Sequence, residues 1–246
     1  MKLQFSIILL LAIAVYSCGG SQSQSQSESE TSTTEAAPEE AAPKEVEAVS
    51  IWDKISIRKT PSDKGEYVTS LSLGEKLTYL GVEETSTDDK VFLNVRLNDG
   101  TEGWVRSEFV APEAEPAVLI EDTNIYKRPD LLTKTDDKFF KMDIVAVIQV
   151  QDTWAEVKGR PTGEKWFKSG WVKADNISYN QIEIAMAKFA QPILSEPFDE
   201  ETPAKIAEIL SNQDLSSSVF TDLLKSALDS VKNSDPLQKV DSVLVQ

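Results

Sequence analysis

The chain has 246 residues with 41 acids against 25 bases, a net charge of −16, one cysteine and no histidine. The absence of histidine removes the commonest general base, the imidazole metal ligand and every Cys-His or Ser-His catalytic pair, and a single cysteine supplies neither an intrachain disulfide nor a thiolate zinc site. So acidic a chain repels phosphate backbones at long range, which argues against a nucleic-acid partner.

The first stretch is Lys2 followed by a mainly apolar run over residues 3–15. That run falls short of the roughly 20 apolar residues of a spanning helix and has the shape of an export signal. It ends in Val15-Tyr16-Ser17-Cys18-Gly19-Gly20. A small residue just before a cysteine at the end of an apolar run resembles the bacterial lipoprotein processing site. The resemblance implies a signal peptide over 1–17 and lipidation at Cys18, whose several acyl chains would anchor the protein stably in a membrane. Simple secretory cleavage near Ser17, with Cys18 incidental, is the alternative. No aspartate follows the cysteine, so by analogy with Gram-negative sorting the expected address is the outer membrane facing the periplasm, with the cell surface as the other possibility. Residues 18–47 are rich in Ser, Gln, Glu, Ala and Pro, and residues 19–47 carry seven acids and one base. Such a composition cannot bury a core, and the segment is expected to be a disordered acidic tether with a reach of about 30 Å.

From residue 48 onward the chain repeats itself. Ile57-Arg58-Lys59-Thr60-Pro61 is matched by Ile125-Tyr126-Lys127-Arg128-Pro129, 68 positions on, and Glu102-Gly103-Trp104-Val105 by Ser169-Gly170-Trp171-Val172, 67 positions on. Leu77, Tyr79 and Leu80 correspond to Val145, Val147 and Ile148. Small drifts in offset are what two copies of one small fold give when their hairpin loops differ in length. Both copies alternate apolar and polar residues at period two, as half-buried strands do, and Asn98-Asp99-Gly100 is a tight-turn signal. Copy one is expected over 48–112, copy two over 117–178, and the charged, proline-bearing 113–116 as a short linker.

The residues Ile57-Arg58-Lys59-Thr60-Pro61, Leu73-Gly74-Glu75-Lys76-Leu77, Asn94-Val95-Arg96-Leu97 and Gly103-Trp104-Val105 resemble the bacterial SH3-like domain, a small all-β barrel. Copy two departs from the pattern at Tyr126, where copy one has Arg58, and at Phe140-Lys141-Met142-Asp143, where the family usually has a turn glycine. The resemblance implies non-catalytic binding to cell-wall polymer (peptidoglycan) or to an envelope protein, with no cofactor. Wall peptidases that carry such domains need a catalytic cysteine and histidine, which this chain does not offer.

Copy two has a longer last hairpin. Its insertion, residues 159–168, is basic and aromatic, and Arg160, Lys165, Trp166 and Lys168 are the candidate ligand contacts, with Trp154 and Trp171 close in the pattern. Arg58 and Trp104, from copy one, complete the set. Indole faces stack on sugar rings, and Arg and Lys pair with the carboxylates of wall peptides. Equally, Trp154 and Trp171 could be core residues of a small barrel, with Trp166-Phe167 capping one edge.

Residues 179–246 change period and read as a small helical module. Ser178 is the expected cap of a helix with Ile182, Ala185, Met186 and Phe189 on one face, stopping near Pro192. Thr202-Pro203 opens a second, with Ile206, Ile209 and Leu210 inward. A third carries Val219, Phe220, Leu223, Leu224, Ala227, Leu228 and Val231, and Asp235-Pro236 starts a last short piece. The paired acids Glu83-Glu84, Asp88-Asp89, Asp136-Asp137 and Asp199-Glu200-Glu201 are expected on solvated surfaces, and no calcium-loop spacing is present. The expected architecture is mainly β, with two tandem SH3-like barrels followed by the helices, and the expected role is a non-catalytic envelope lipoprotein that binds the wall, an interaction adaptor or an adhesin being the alternatives.

Overall fold

The computed structural model describes residues 43–234. The expected signal peptide, Cys18, most of the tether and the last short piece from Asp235 lie outside the described residues. Ala42–Gln246 forms a compact unit of its own.

The fold is mainly β, with two seven-stranded sheets and three α-helices. The first sheet comprises β1 (Val46–Ser50), β2 (Ile55–Arg58), β3 (Tyr67–Leu71), β4 (Lys76–Thr85), β5 (Val91–Leu97), β6 (Glu102–Arg106) and β7 (Val110–Pro112). The second comprises β8 (Glu115–Leu119), β9 (Thr123–Tyr126), β10 (Lys134–Phe139), β11 (Ile144–Gln151), β12 (Trp154–Gly159), β13 (Lys168–Lys173) and β14 (Ile177–Ser178). Their strand orders, β3-β2-β6-β5-β4-β1-β7 and β10-β9-β13-β12-β11-β8-β14, are the same order counted from the first strand of each. The repeated residues therefore occupy equivalent places. Arg58 pairs with Trp104 across β2 and β6, and Tyr126 with Trp171 across β9 and β13.

The glycine ahead of each repeated tryptophan has a steric cause. A Cβ on Gly103 would lie 2.4 Å from the Ile57 side chain and 2.8 Å from the Arg58 carbonyl; one on Gly170 would meet Ile125 at 2.6 Å and the Tyr126 carbonyl at 2.8 Å. Only a residue without a Cβ lets the strands cross so closely. The expected turn glycine of copy two is a methionine instead. Met142 has φ of 71°, close to the 76° of its counterpart Gly74. A non-glycine residue in this region carries strain, and here the buried Met142 side chain offsets it by filling the core under the helices.

Each sheet wraps its own core. Ile57, Leu71, Leu77, Val95 and Val105 pack inside the first, and Ile125, Phe139, Val145, Val157 and Val172 inside the second. A third cluster, Val49, Ile51, Ala111, Ala114 and Ala146 with Phe167 against it, joins the two sheets. The stretch expected as a linker is largely structured for this reason: β8 begins at Glu115, Ala114 is buried, and the Glu113 amide donates to Glu47 O at 2.7 Å.

The helices are α1 (Gln181–Leu194), α2 (Thr202–Ser211) and α3 (Thr221–Ser234). Ser178 ends β14, and Asn180 is the cap, its side chain accepting from the Ile182 amide. The helix ends two residues past Pro192, at Leu194, and Ser195 closes it by donating from N and Oγ to Gln191 O. The face that packs inward is Glu183, Met186, Ala187 and Ala190, so Phe189 points out and is 52% exposed. On the third helical stretch, Phe220 and Leu224 are buried, whereas Val219 and Leu223 are exposed. Met186, Ile206, Phe220 and Leu224 join Val118, Met142 and Ile144 of the second sheet in one core, which fixes the helices to that sheet.

Candidate functional site

A cavity of about 560 Å³ opens where the two sheets meet α1. Ile51, Trp52 and Asp53 line it from the bend after β1, Leu73 from the turn before β4, and Ile144 from β11. Arg160, Thr162, Gly163, Glu164 and Lys165 of the long hairpin form the facing wall, and Gln191, Pro192, Ser195 and Glu196 from the end of α1 complete it. The insertion in copy two is therefore one side of a cleft built from three parts of the chain.

Three interactions hold this wall in place. The Arg160 guanidinium sits 4.5 Å from the centre of the Trp52 ring and donates to Glu164 O at 3.2 Å. Phe167 packs edge-on against Trp52, with ring centres 5.3 Å apart, and Phe109 completes the aromatic group. Beneath them, Asp143 is fully buried and accepts four hydrogen bonds: from Phe140 N at 2.7 Å, Thr162 N at 3.0 Å, Thr162 Oγ1 at 2.6 Å and Gln191 Nε2 at 2.7 Å. Burial pushes the Asp143 carboxyl above the ordinary aspartate range, against the pull of those donors. Through this one carboxylate, the hairpin, β11 and α1 share a fixed geometry.

The cleft carries both signs of charge. Arg160, Glu164 and Lys165 are exposed on the hairpin wall, and Asp53 and Glu196 are the acids among the other lining residues. Asp53 also accepts from the Leu73 amide at 3.2 Å. Burial also holds the Lys158 amine, 5.8 Å from the Phe167 ring, below its usual range. The hydroxyl groups in the lining are already engaged, Thr162 Oγ1 with Asp143 and Ser195 Oγ with Gln191 O at 2.7 Å. An arginine placed over an indole, beside a second exposed cation, suits a ligand bearing a carboxylate.

The structure gathers only Arg160 and Lys165 of the eight candidate ligand residues at this cleft. Trp154 and Trp171 are 7% and 9% exposed. The Trp154 ring is covered by Tyr126 on its edge, 4.9 Å away, and by Lys173 Nζ at 3.6 Å. Little ring face remains on either for a ligand, and neither lines the cleft. Trp166 is 76% exposed and does not cap a sheet edge; Phe167 takes the inward position. Lys168 is committed to Asp137 at 2.7 Å, which raises the lysine above its usual range. Arg58 donates to Gly65 O at 3.1 Å and tightens the β2–β3 loop. Trp104 lies half-buried on β6.

Among the residues that build the cleft, Trp52 and Gln191, with Asp143 beneath them, were not singled out in the sequence. A signal for Asp143 existed, because its counterpart 68 positions earlier, Glu75, makes the same bond to the amide three residues back (Ser72 N, 2.8 Å). Nothing local marked Trp52 or Gln191.

Residues 53–111 match the family of the bacterial SH3 domain. This chain carries a bacterial SH3 domain. The match spans β2 to β6 and ends within β7, so the SH3 domain supplies Asp53 and Leu73 of the cleft. No curated protein matches the chain at a significant level. Among solved structures, it is similar to those described as NlpC2 and NlpC1 from Trichomonas vaginalis, at 13% and 14% identity. The similarity covers 68% and 63% of this chain, with a TM-score of 0.25 in each case. The chain spans 56% and 55% of the length of those two structures.

Proposed function

We propose that the protein is a non-catalytic, envelope-located binder of peptidoglycan, held at a membrane by a lipid on Cys18 and reaching the wall through its acidic tether. The observation that carries this reading is the bacterial SH3 domain at 53–111, a domain type that suggests cell-wall binding. Residues 117–178 act as a second SH3-like barrel in this reading, supported by a strand order equivalent to that of the first sheet. The ligand site in this reading is the cleft between them, where Arg160 and Lys165 meet wall-peptide carboxylates. Engagement of Thr162 and Ser195 in structural hydrogen bonds supports a binding role over a catalytic one. The expected location is the outer membrane facing the periplasm.

Co-sedimentation of residues 42–246 with purified peptidoglycan tests the proposal. The wild-type piece should pellet with the polymer, and a variant with Arg160→Ala and Lys165→Ala should remain in solution. A wild-type piece that stays in solution overturns it. A second reading, an adaptor for an envelope protein, is favoured by the apolar groove between α1 and α2 lined by Phe189, Ile193 and Ile209. Capture of one envelope protein by the wild type, and its loss with Phe189→Asp, would support that reading instead.

A further inference from the structure

The loop between β9 and β10 contrasts with its counterpart in the first sheet. There, Asp63 accepts from Arg106 Nε at 2.7 Å, from Arg106 Nη2 and from Lys90 Nζ at 2.6 Å, which ties the β2–β3 loop down onto its own sheet. The residue 68 positions on is Leu131, followed by Leu132, and these side chains are 63% and 93% exposed. Two adjacent leucines exposed at a loop tip form a small protruding apolar point.

The tip is rigid. Asp130 Oδ1 accepts from Leu132 N at 2.9 Å, the Thr133 amide donates to Asp130 O at 3.0 Å, and Thr133 Oγ1 donates to Arg128 O at 3.0 Å and to Asp130 O at 2.8 Å. The Lys127 amide closes the base of the loop on Thr133 O at 3.0 Å. Leucines presented on such a turn lose little conformational freedom when they are buried. Lys127, Arg128 and Lys134 flank the tip and are all exposed. The ion pairs in this part of the sheet join Lys138 to Asp122 and Lys168 to Asp137, so none of the three flanking cations is in an ion pair among the described residues. Asp130 accepts from the loop amide but keeps its exposed carboxylate, so within residues 127–136 two acids, Asp130 and Asp136 on β10, oppose the three cations.

We propose that the Leu131–Leu132 tip inserts into a phospholipid surface, with Lys127, Arg128 and Lys134 pairing headgroup phosphates. Two layers of chemistry match two layers of a bilayer: the protruding apolar point reaches the acyl boundary, and the cations behind it lie at the depth of the phosphates. A protein partner would need an apolar socket ringed with acids, whereas any anionic leaflet supplies both features. The contact does not depend on wall binding or on a lipid at Cys18.

The test uses residues 42–246, which lack Cys18, the one cysteine of the chain. A Leu132→Cys variant carrying an environment-sensitive fluorophore is mixed with vesicles of phosphatidylglycerol and phosphatidylethanolamine, and the unlabelled protein is floated with the same vesicles. The label should shift to an apolar environment. Leu131→Ser with Leu132→Ser should weaken flotation about tenfold or more while leaving the melting temperature unchanged, since both side chains are exposed. Each of Lys127→Gln, Arg128→Gln and Lys134→Gln should weaken it about fivefold, and Asp136→Asn should strengthen it by a similar factor. A label that stays in water overturns the proposal. So does flotation that survives the serine variants, or a shift that appears without vesicles and grows with protein concentration, which would mark a contact between copies. Because the vesicles contain no wall polymer, failure here is distinct from failure to bind peptidoglycan.

Discussion

The Arg160 guanidinium lies 4.5 Å over the Trp52 ring, joining the last hairpin of the second sheet to the bend after the first strand of the first. A contact of this kind at a partly exposed site contributes about 0.5–1 kcal/mol. A double-mutant cycle of Trp52→Ala and Arg160→Ala in denaturant unfolding should return a coupling energy of that size. Additive effects would mean that the guanidinium is held by Glu164 alone.

Asp143 is expected to make stability depend on mildly acidic pH. Its folded-state pKa is raised by burial above the ordinary 3.8, so the folded protein binds this proton more tightly than the unfolded chain does. The stabilising effect of that proton is complete below pH 3.8 and is lost as pH rises through the folded value. Asp143→Asn should remove this slope from unfolding curves taken across the window. At neutral pH it should also cost about 2 kcal/mol, because an amide turns one donor toward the donors of Phe140, Thr162 and Gln191.

Asp63 should behave in the opposite sense. The Arg106 guanidinium and the Lys90 amine hold its carboxyl well below the usual carboxylate range. Stability from this cluster is present above the unfolded value of 3.8 and is lost as pH falls toward the depressed folded value. The carboxylate is 35% exposed, so solvent screening limits the contribution to about 1 kcal/mol. Asp63→Asn should be less stable than wild type by that amount at neutral pH, and the gap should narrow in urea titrations at about pH 3.

Glu183 should control how firmly α3 is docked. Its buried carboxylate accepts from Ser218 Oγ at 2.6 Å and from the Val219 amide at 3.1 Å, just ahead of the first turn of α3. Glu183→Ala leaves those donors without an acceptor inside the core, at a cost of about 1–3 kcal/mol. Hydrogen exchange should show faster opening of residues 218–228 than of the two sheets. Uniform acceleration across the chain would contradict a local role.

Met142→Gly separates two opposing effects at one residue. Relief of a left-handed backbone favours the variant by about 1 kcal/mol, while loss of a buried methionine costs about 2–5 kcal/mol. A net destabilisation of about 1–4 kcal/mol in thermal or denaturant unfolding is expected, in contrast to its counterpart Gly74, where the turn is already relaxed.

Much of the architecture was legible because it is written locally. Strand alternation, the Asn98-Asp99-Gly100 turn and the glycine before each tryptophan are short-range devices, and their recurrence implied one strand order used twice. Helix starts were readable to within a few residues, since Asn180 and Ser178 offer similar caps. The inward face of α1 was not, because Phe189 and Met186 both satisfy a helical period and only the surface they meet decides between them. The end of α1 near Pro192 was legible, and Ser195 supplies the closing hydrogen bonds.

The sequence by itself determined the repeat, the β character of each copy, the helical tail and the basic hairpin that became a cleft wall. Only the tertiary structure decided that Trp52 would face Arg160 across 108 positions, and that Asp143 would be buried under Thr162 and Gln191. It also decided that the most conspicuous tryptophan of the hairpin, Trp166, would point to solvent while Phe167 turned in. The physical reason is range. Turn chemistry and strand period act over a few residues, whereas burial and partner choice depend on which faces two sheets and a helix present when they pack.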